Sequence, residues 1–157
     1  MNPRQLLLLL LLLTAIPAFA AKEAETPFDT YSGYFVSNQF EPDAATSFVI
    51  IQDQAQFDRV FGAAFVMRDK SRRLAPEDFK THTILGVIHR GPAMCEFQVA
   101  KVALSGGTAE LHYAVTSKKS DTATFACPLI VSIPKGDYQA VKFVENGKVA
   151  KVLTPAK

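Results

Sequence analysis

The sequence predicts an α+β fold: a mostly antiparallel β-sheet of six to eight strands, one main helix at about 53–65 and one short helix at about 76–80. Three observations carry this reading. Phe57, Val60, Phe61 and Ala64 recur at spacings of three and four, the period of one helix face. Beyond residue 80 the chain turns to short apolar or alternating runs punctuated by Gly, Pro, Asn and Ser, the pattern of strands joined by tight turns. The helical signals therefore sit together near the start and the strands follow in a run, an order that marks α+β architecture.

The first residues do not belong to that domain. Arg4 precedes the unbroken run Leu6 to Leu13, and Ala18-Phe19-Ala20 follows, which reads as a secretory signal peptide over residues 1–20. The apolar stretch is too short, and too soon followed by Pro17 and charge, for a membrane span of about 20 residues. A lipoprotein needs a cysteine at the cleavage point, whereas the first cysteine is Cys95. No stable membrane anchor is expected after cleavage, and the expected location is periplasmic or secreted. Residues 21–30, charged and without period, read as a flexible lead-in to a single domain over 31–157. The chain has 157 residues, and the part remaining after the leader is enough for one core but not two.

Aromatic and β-branched residues beside Gly33 predict a first strand at Tyr34 to Ser37, and TSFVIIQ, Thr46 to Gln52, a second. Asp53 stands where an N-cap belongs, with Gln56 placed to complete a capping box, so the main helix starts there and ends near Phe65, weakened by Gly62. Pro76, Glu77 and Asp78 supply the proline and acids of a first helical turn, with Phe79 as its core contact. In THTILGVIHR, Ile84 and Ile88 on one face are matched by Leu85 and Val87 on the other, which predicts a central strand covered on both sides.

EFQVAKVAL and TAELHYAVT flank Ser105-Gly106-Gly107 as a hairpin; Leu111, Tyr113 and Val115 share one face, Glu110, His112 and Ala114 the other. SKKSDTAT reads as a polar loop and CPLIVSIP as a further strand. Asn146-Gly147 between two apolar runs predicts a type I′ hairpin turn.

Composition narrows the function classes. Seventeen Lys and Arg against fifteen Asp and Glu leave a formal net charge of +2, with no basic face of the kind a nucleic acid needs. The one dense basic stretch, Met67 to Arg73, is broken by Asp69 and reads as a solvated loop. His82, His89 and His112 share no metal-binding spacing, so neither a metal nor a cofactor is expected. Glu77-Asp78 serves a helix start better than acid–base chemistry.

The two cysteines, Cys95 and Cys127, predict a disulfide in an exported chain. By the chain-entropy model such a bond stabilises by about 3–4 kcal/mol. In a plain meander these two strand starts would lie about 9–10 Å apart, beyond the roughly 7 Å that a disulfide allows between Cα atoms. The middle strand must therefore stop short, or the two cysteine strands must be direct neighbours.

A reactive reading takes Cys95 as nucleophile with His89 or His112 as base, which would make the protein a cysteine-dependent hydrolase. The paired-cysteine reading ranks above it. A sheet-rich exported domain most readily binds protein through open strand edges. The surfaces to watch are the turn Arg90, Gly91, Pro92 and Met94 and the loop Ser117 to Thr124, because a Cys95–Cys127 disulfide would bring their ends together. A small-ligand domain with a pocket between helix and sheet is the alternative.

Residues from about 46 to 149 resemble the C-terminal domain family of the protease complex subunit PrcB. The resemblance lies in TSFVIIQ, DQAQFDRVFGAAF, PEDFKTHTILGVIHRGPAMCEFQVAKV and TATFACPLIVSIPKGDYQAVKF. It implies an exported accessory protein that associates with a protease or another cell-envelope partner and has no catalysis of its own. The chain departs from the family where Pro92 is followed by Ala93, Met94, Cys95 and Glu96 before Phe97, in place of glycines. A binding role carried by those glycines does not transfer.

Overall fold

A computed structural model describes residues 24–64 and 72–156. The leader at 1–20 and most of the basic stretch from Met67 lie outside the described residues. The chain runs β1 (Ala24–Thr26), β2 (Asp29–Tyr31), β3 (Tyr34–Val36), β4 (Thr46–Ile51), α1 (Gln54–Val60) and β5 (Phe61–Ala63). It continues through α2 (Asp78–Thr81), β6 (His82–Gly91), β7 (Ala93–Ser105), β8 (Thr108–Lys119), β9 (Phe125–Pro134), β10 (Ala140–Glu145) and β11 (Lys148–Leu153). The fold is α+β and mostly antiparallel; among the described residues the one parallel pair is β8 with β10.

The strands divide between two main sheets, β1-β7-β8-β10-β11 and β2-β9-β6-β4, with β3 and β5 forming a separate ribbon. The two sheets pack face to face over Leu85, Val87, Val102, Leu111, Leu129, Val131, Val141 and Phe143. On its far side the four-stranded sheet carries a second core, in which Ile84, Ile88 and Ile130 meet Phe57, Phe61 and Phe79. β6 is therefore central and covered on both faces, as its double apolarity requires, and Ile84, Leu85, Val87 and Ile88 are all fully buried.

The helix is built and ended by local chemistry. Asp53 caps it, its Oδ1 accepting the Gln56 amide at 2.8 Å. Gln56 reaches back to the amide of Gln52 at 3.0 Å, one residue ahead of the usual capping-box partner. The helix ends at Val60 rather than near Phe65. Phe61 turns extended, and Gly62 pairs with Phe35 across the β3–β5 ribbon. The Phe35 ring lies over Gly62 so closely that an added Cβ would fall 2.3 Å from it. A helix-period pattern thus runs on past the real end, because Phe61 faces the same core from a strand as it would from a helix.

Three further expectations need correction. The lead-in at 21–30 contains two strands, β1 on β7 and β2 on β9, each forming a sheet edge. Together with β5 these short strands raise the total among the described residues to eleven. The residues Ser117 to Lys119 are strand, not loop: they pair with Ala93 to Cys95, and the Ser120 amide donates to the Pro92 carbonyl at 2.7 Å.

Arg72 and Arg73, at the end of the basic stretch, are tied into the fold. Arg72 bridges Asp29 and Asp78, while Arg73 donates to the carbonyls of Ser32, Gly33 and Ala64. The hairpin turn is as expected, Asn146 and Gly147 having φ of 48° and 80°. Asn146 also holds the parallel neighbour, its amide donating to Tyr113 O and its Oδ1 accepting from the Val115 amide.

Candidate functional site

The chain passes from one main sheet to the other through Gly91 and Pro92, and this passage gathers the chemically active side chains. β6 ends there in the four-stranded sheet and β7 begins in the five-stranded one. Alternation directs His89 and Cys127, register partners on β6 and β9, into the space between the sheets. Cys95 and Phe97 of β7, Tyr113 of β8 and Glu145 of β10 enter the same end of that space.

Glu145 is its hub. One carboxylate oxygen meets His89 Nε2 at 2.9 Å and accepts the Tyr113 hydroxyl at 2.9 Å. Phe97 packs edge-on against His89, with ring centroids 5.3 Å apart, and beside Tyr113 at 6.1 Å. Burial, together with the carboxylate of Glu145, pushes the Tyr113 hydroxyl well above its ordinary range, so it remains a donor.

The cysteines sit one on each sheet. The Cys95 amide donates to Cys127 Sγ at 3.1 Å, and the two sulfurs lie 3.7 and 3.9 Å from the same carbonyl oxygen, that of Ala93. Both residues are thiols, partly exposed and not joined in this structure. The separation expected of a meander does not arise, because no strand lies between them: they belong to different sheets that converge at the Gly91-Pro92 corner. Burial, then the neighbouring Cys127 and Glu145, raise the Cys95 thiol above its ordinary value. That is the reverse of what an activated nucleophile needs.

Two cavities flank the pair. One of about 490 Å³ opens between β2, β7 and β9 and is lined by Phe28, Phe97, Gln98, Val99, Pro128 and Leu129 together with Cys95. The other, of about 350 Å³, lies at the sheet ends against His89, Pro92, Cys95, Ser117 and Glu145.

Of the turn residues singled out from sequence, Arg90 is engaged within the fold, donating to the carbonyls of Phe40 and Ala44 and to Ser47 Oγ. Gly91 has φ of 148°, a conformation side chains disfavour, and Met94 is half exposed. The turn Arg90 to Met94 and the segment from Ser117 meet, but through strand pairing rather than through the cysteines.

The three histidines do not converge. His82 bonds Thr81, His89 meets Glu145, and His112 meets Glu110 at 3.4 Å on the outer face of the five-stranded sheet. Among the described residues no three His, Cys, Asp or Glu form a metal-holding group. The space between helix and sheet is filled by Phe57, Phe61, Phe79 and Tyr34, so the cavities lie elsewhere than the small-ligand reading placed its pocket. No described helix is long and apolar enough to cross a membrane.

Sequence reasoning missed Glu145 as the shared partner of His89 and Tyr113. The parity of Glu145 on β10 and of Tyr113 on β8 was readable, but not which sheets would face each other. No protein-family model, no curated protein and no solved structure matches the chain.

Proposed function

We propose that this chain is an exported, non-catalytic protein-binding domain, periplasmic or secreted after loss of residues 1–20. Its partner would be a protease complex or another envelope protein, as the resemblance to the PrcB C-terminal domain implies. The observation that carries the reading is the edge of β7. β1 covers only Val102 to Leu104 of this thirteen-residue strand. From Phe97 to Val99 no strand lies beside β7 on that edge among the described residues.

The alternation that turns the Cys95 amide away from β8 turns those of Phe97 and Val99 the same way. They face the 490 Å³ cavity, whose lining carries no charged side chain. Such an edge suits an extended, uncharged segment, which gains main-chain hydrogen bonds along β7 and side-chain contact with Phe28 and Leu129 as well as with Thr30 and Ser32.

The Cys95–Cys127 disulfide belongs to the same proposal, as a rivet between the two sheets at the head of this groove. It is supported by the approach of both sulfurs to Ala93 O.

Selection from a peptide library displayed against the oxidised mature domain tests the binding mode. The expected binders are extended and uncharged, shift the amide resonances of Phe97, Gln98 and Val99, and lose affinity when alternate backbone amides are methylated. Binders that leave those resonances unmoved would sink it.

A further inference from the structure

We infer that the groove beside β7 takes a loop of a folded partner, not a chain tail and not a strand running through. The loop supplies a short extended core, uncharged at its first and third positions, and turns out of the groove at both ends. This inference rests on the reading that β7 accepts an added strand, and gives that strand a length, a pattern and a source.

Both ends of the free edge are closed. β1 occupies the edge from Val102 to Leu104, and past Thr26 only Pro27 and Phe28 carry the chain across to β2 in the other sheet. At the opposite end Cys127 of β9 reaches β7, where its Sγ accepts the Cys95 amide at 3.1 Å. A long strand would run into β1 in one direction and into Cys127 in the other. What remains is Glu96 to Lys101, about 20 Å at the usual rise per residue.

Within that stretch the ladder has few places. Phe97 and Val99 turn their amides and carbonyls toward the groove, Gln98 turns its own toward β8, and the register slips between Val99 and Lys101. An antiparallel segment, the sense β1 already takes on this edge, exchanges bonds with Phe97 through one residue and with Val99 through the next but one. Those two residues and the one between them are the core.

Alternation assigns the core side chains. Residues opposite Phe97 and Val99 project to the same side as those two, which pack against the core shared by the sheets. There they meet Phe28, Thr30, Pro128 and Leu129 in the 490 Å³ cavity, whose lining carries no charged side chain. The middle residue lies beside Gln98, which is exposed, so that position is unrestricted. A free chain end would bring an ammonium or carboxylate against this lining with nothing there to compensate it. A loop brings neither charge, and holds its extended stretch in place before binding.

Two peptide sets screened against the mature domain, with amide resonances as readout, test the inference. One is head-to-tail cyclic, with three randomised positions between fixed turns; the other is linear, acetylated and amidated, grown from the selected cores to about nine residues. Cyclic binders are expected to be uncharged at the first and third core positions, to accept any residue at the second, and to move the Phe97 and Val99 amides. Opening the ring is expected to weaken binding about tenfold. Linear forms are expected to gain affinity up to about five residues and then level off. N-methylation at the first or third core residue is expected to abolish binding, and at the second to leave it intact.

Affinity that keeps rising with length, or a free-ended peptide that binds better than its capped form, overturns this inference alone and leaves strand addition standing. If neither set moves Phe97 and Val99, the edge reading and this inference fall together.

Discussion

Gly86 faces Val49 across the β6–β4 ladder with no room for a side chain: a Cβ on Gly86 would lie 2.5 Å from Val49 Cγ2 and 3.2 Å from the Phe61 ring. A glycine in the middle of a strand weakens it in isolation, but here it lets the Phe61 ring close over the sheet. Gly86→Ala is expected to destabilise by about 1–3 kcal/mol through overpacking. Val49→Ala in the same chain is expected to recover part of that loss, read as a positive coupling in a urea-unfolding double-mutant cycle. Simple additivity would show that the contact is not the cause.

The cap of α1 gives a second measurement. Asp53→Ala removes the acceptor of the Gln56 amide and is expected to cost about 1 kcal/mol, while Asp53→Asn retains most of the stability. Equal loss in both variants would assign the effect to charge rather than to the hydrogen bond.

Tyr113→Phe deletes one of the two donors to Glu145 without changing the ring that packs beside Phe97. A hydrogen bond to a charged acceptor contributes about 1.5–3 kcal/mol, and the partial exposure of Glu145 puts this one at the lower end. With Glu145→Gln already present, removal of the tyrosine hydroxyl is expected to cost less, which thermal unfolding of the four combinations reads directly.

Acid stability has a local contributor on the outer face of the five-stranded sheet. The Lys142 ammonium, 2.7 Å away, holds the Glu110 carboxyl below its ordinary range, with His112 adding to the effect. A depressed folded-state value means a contribution present above the unfolded carboxylate pKa and lost as pH falls through the folded one. Glu110→Gln is therefore expected to narrow the difference in urea midpoint between pH 6 and pH 3. An unchanged difference would place the acid sensitivity elsewhere.

Much of this fold is legible in single stretches of sequence, where one local cause suffices. The double apolarity of Ile84 to Ile88 marks the central strand, Asp53 the helix start, and Asn146-Gly147 the last turn. What fails to show is whatever depends on distant partners. β1 and β2 are three residues each and mostly polar, and they become strands only because β7 and β9 offer them an edge.

The division into two sheets is also hidden. Hairpin signals give the order of strands but not the corner at Gly91-Pro92, where the chain changes layer. For the same reason the site was half visible. Both cysteines and His89 are conspicuous as residue types, while Glu145, 56 positions from His89, has no local mark until the sheets face each other.

The edge strands β1 and β2 set a sequence of events in time. Asp29 pairs with Ser132 and Ala24 with Leu104, so the first strands of the domain to be made must wait for strands some eighty to a hundred residues later. The β7–β8 hairpin, closed by two glycines, can form as soon as it is complete. Loop-closure entropy places the local hairpin early and the N-terminal clasp late. Until that clasp closes, the same β7 edge that accepts β1 stands bare along its whole length. A newly made chain is then most exposed to pairing with its neighbours through that bare edge.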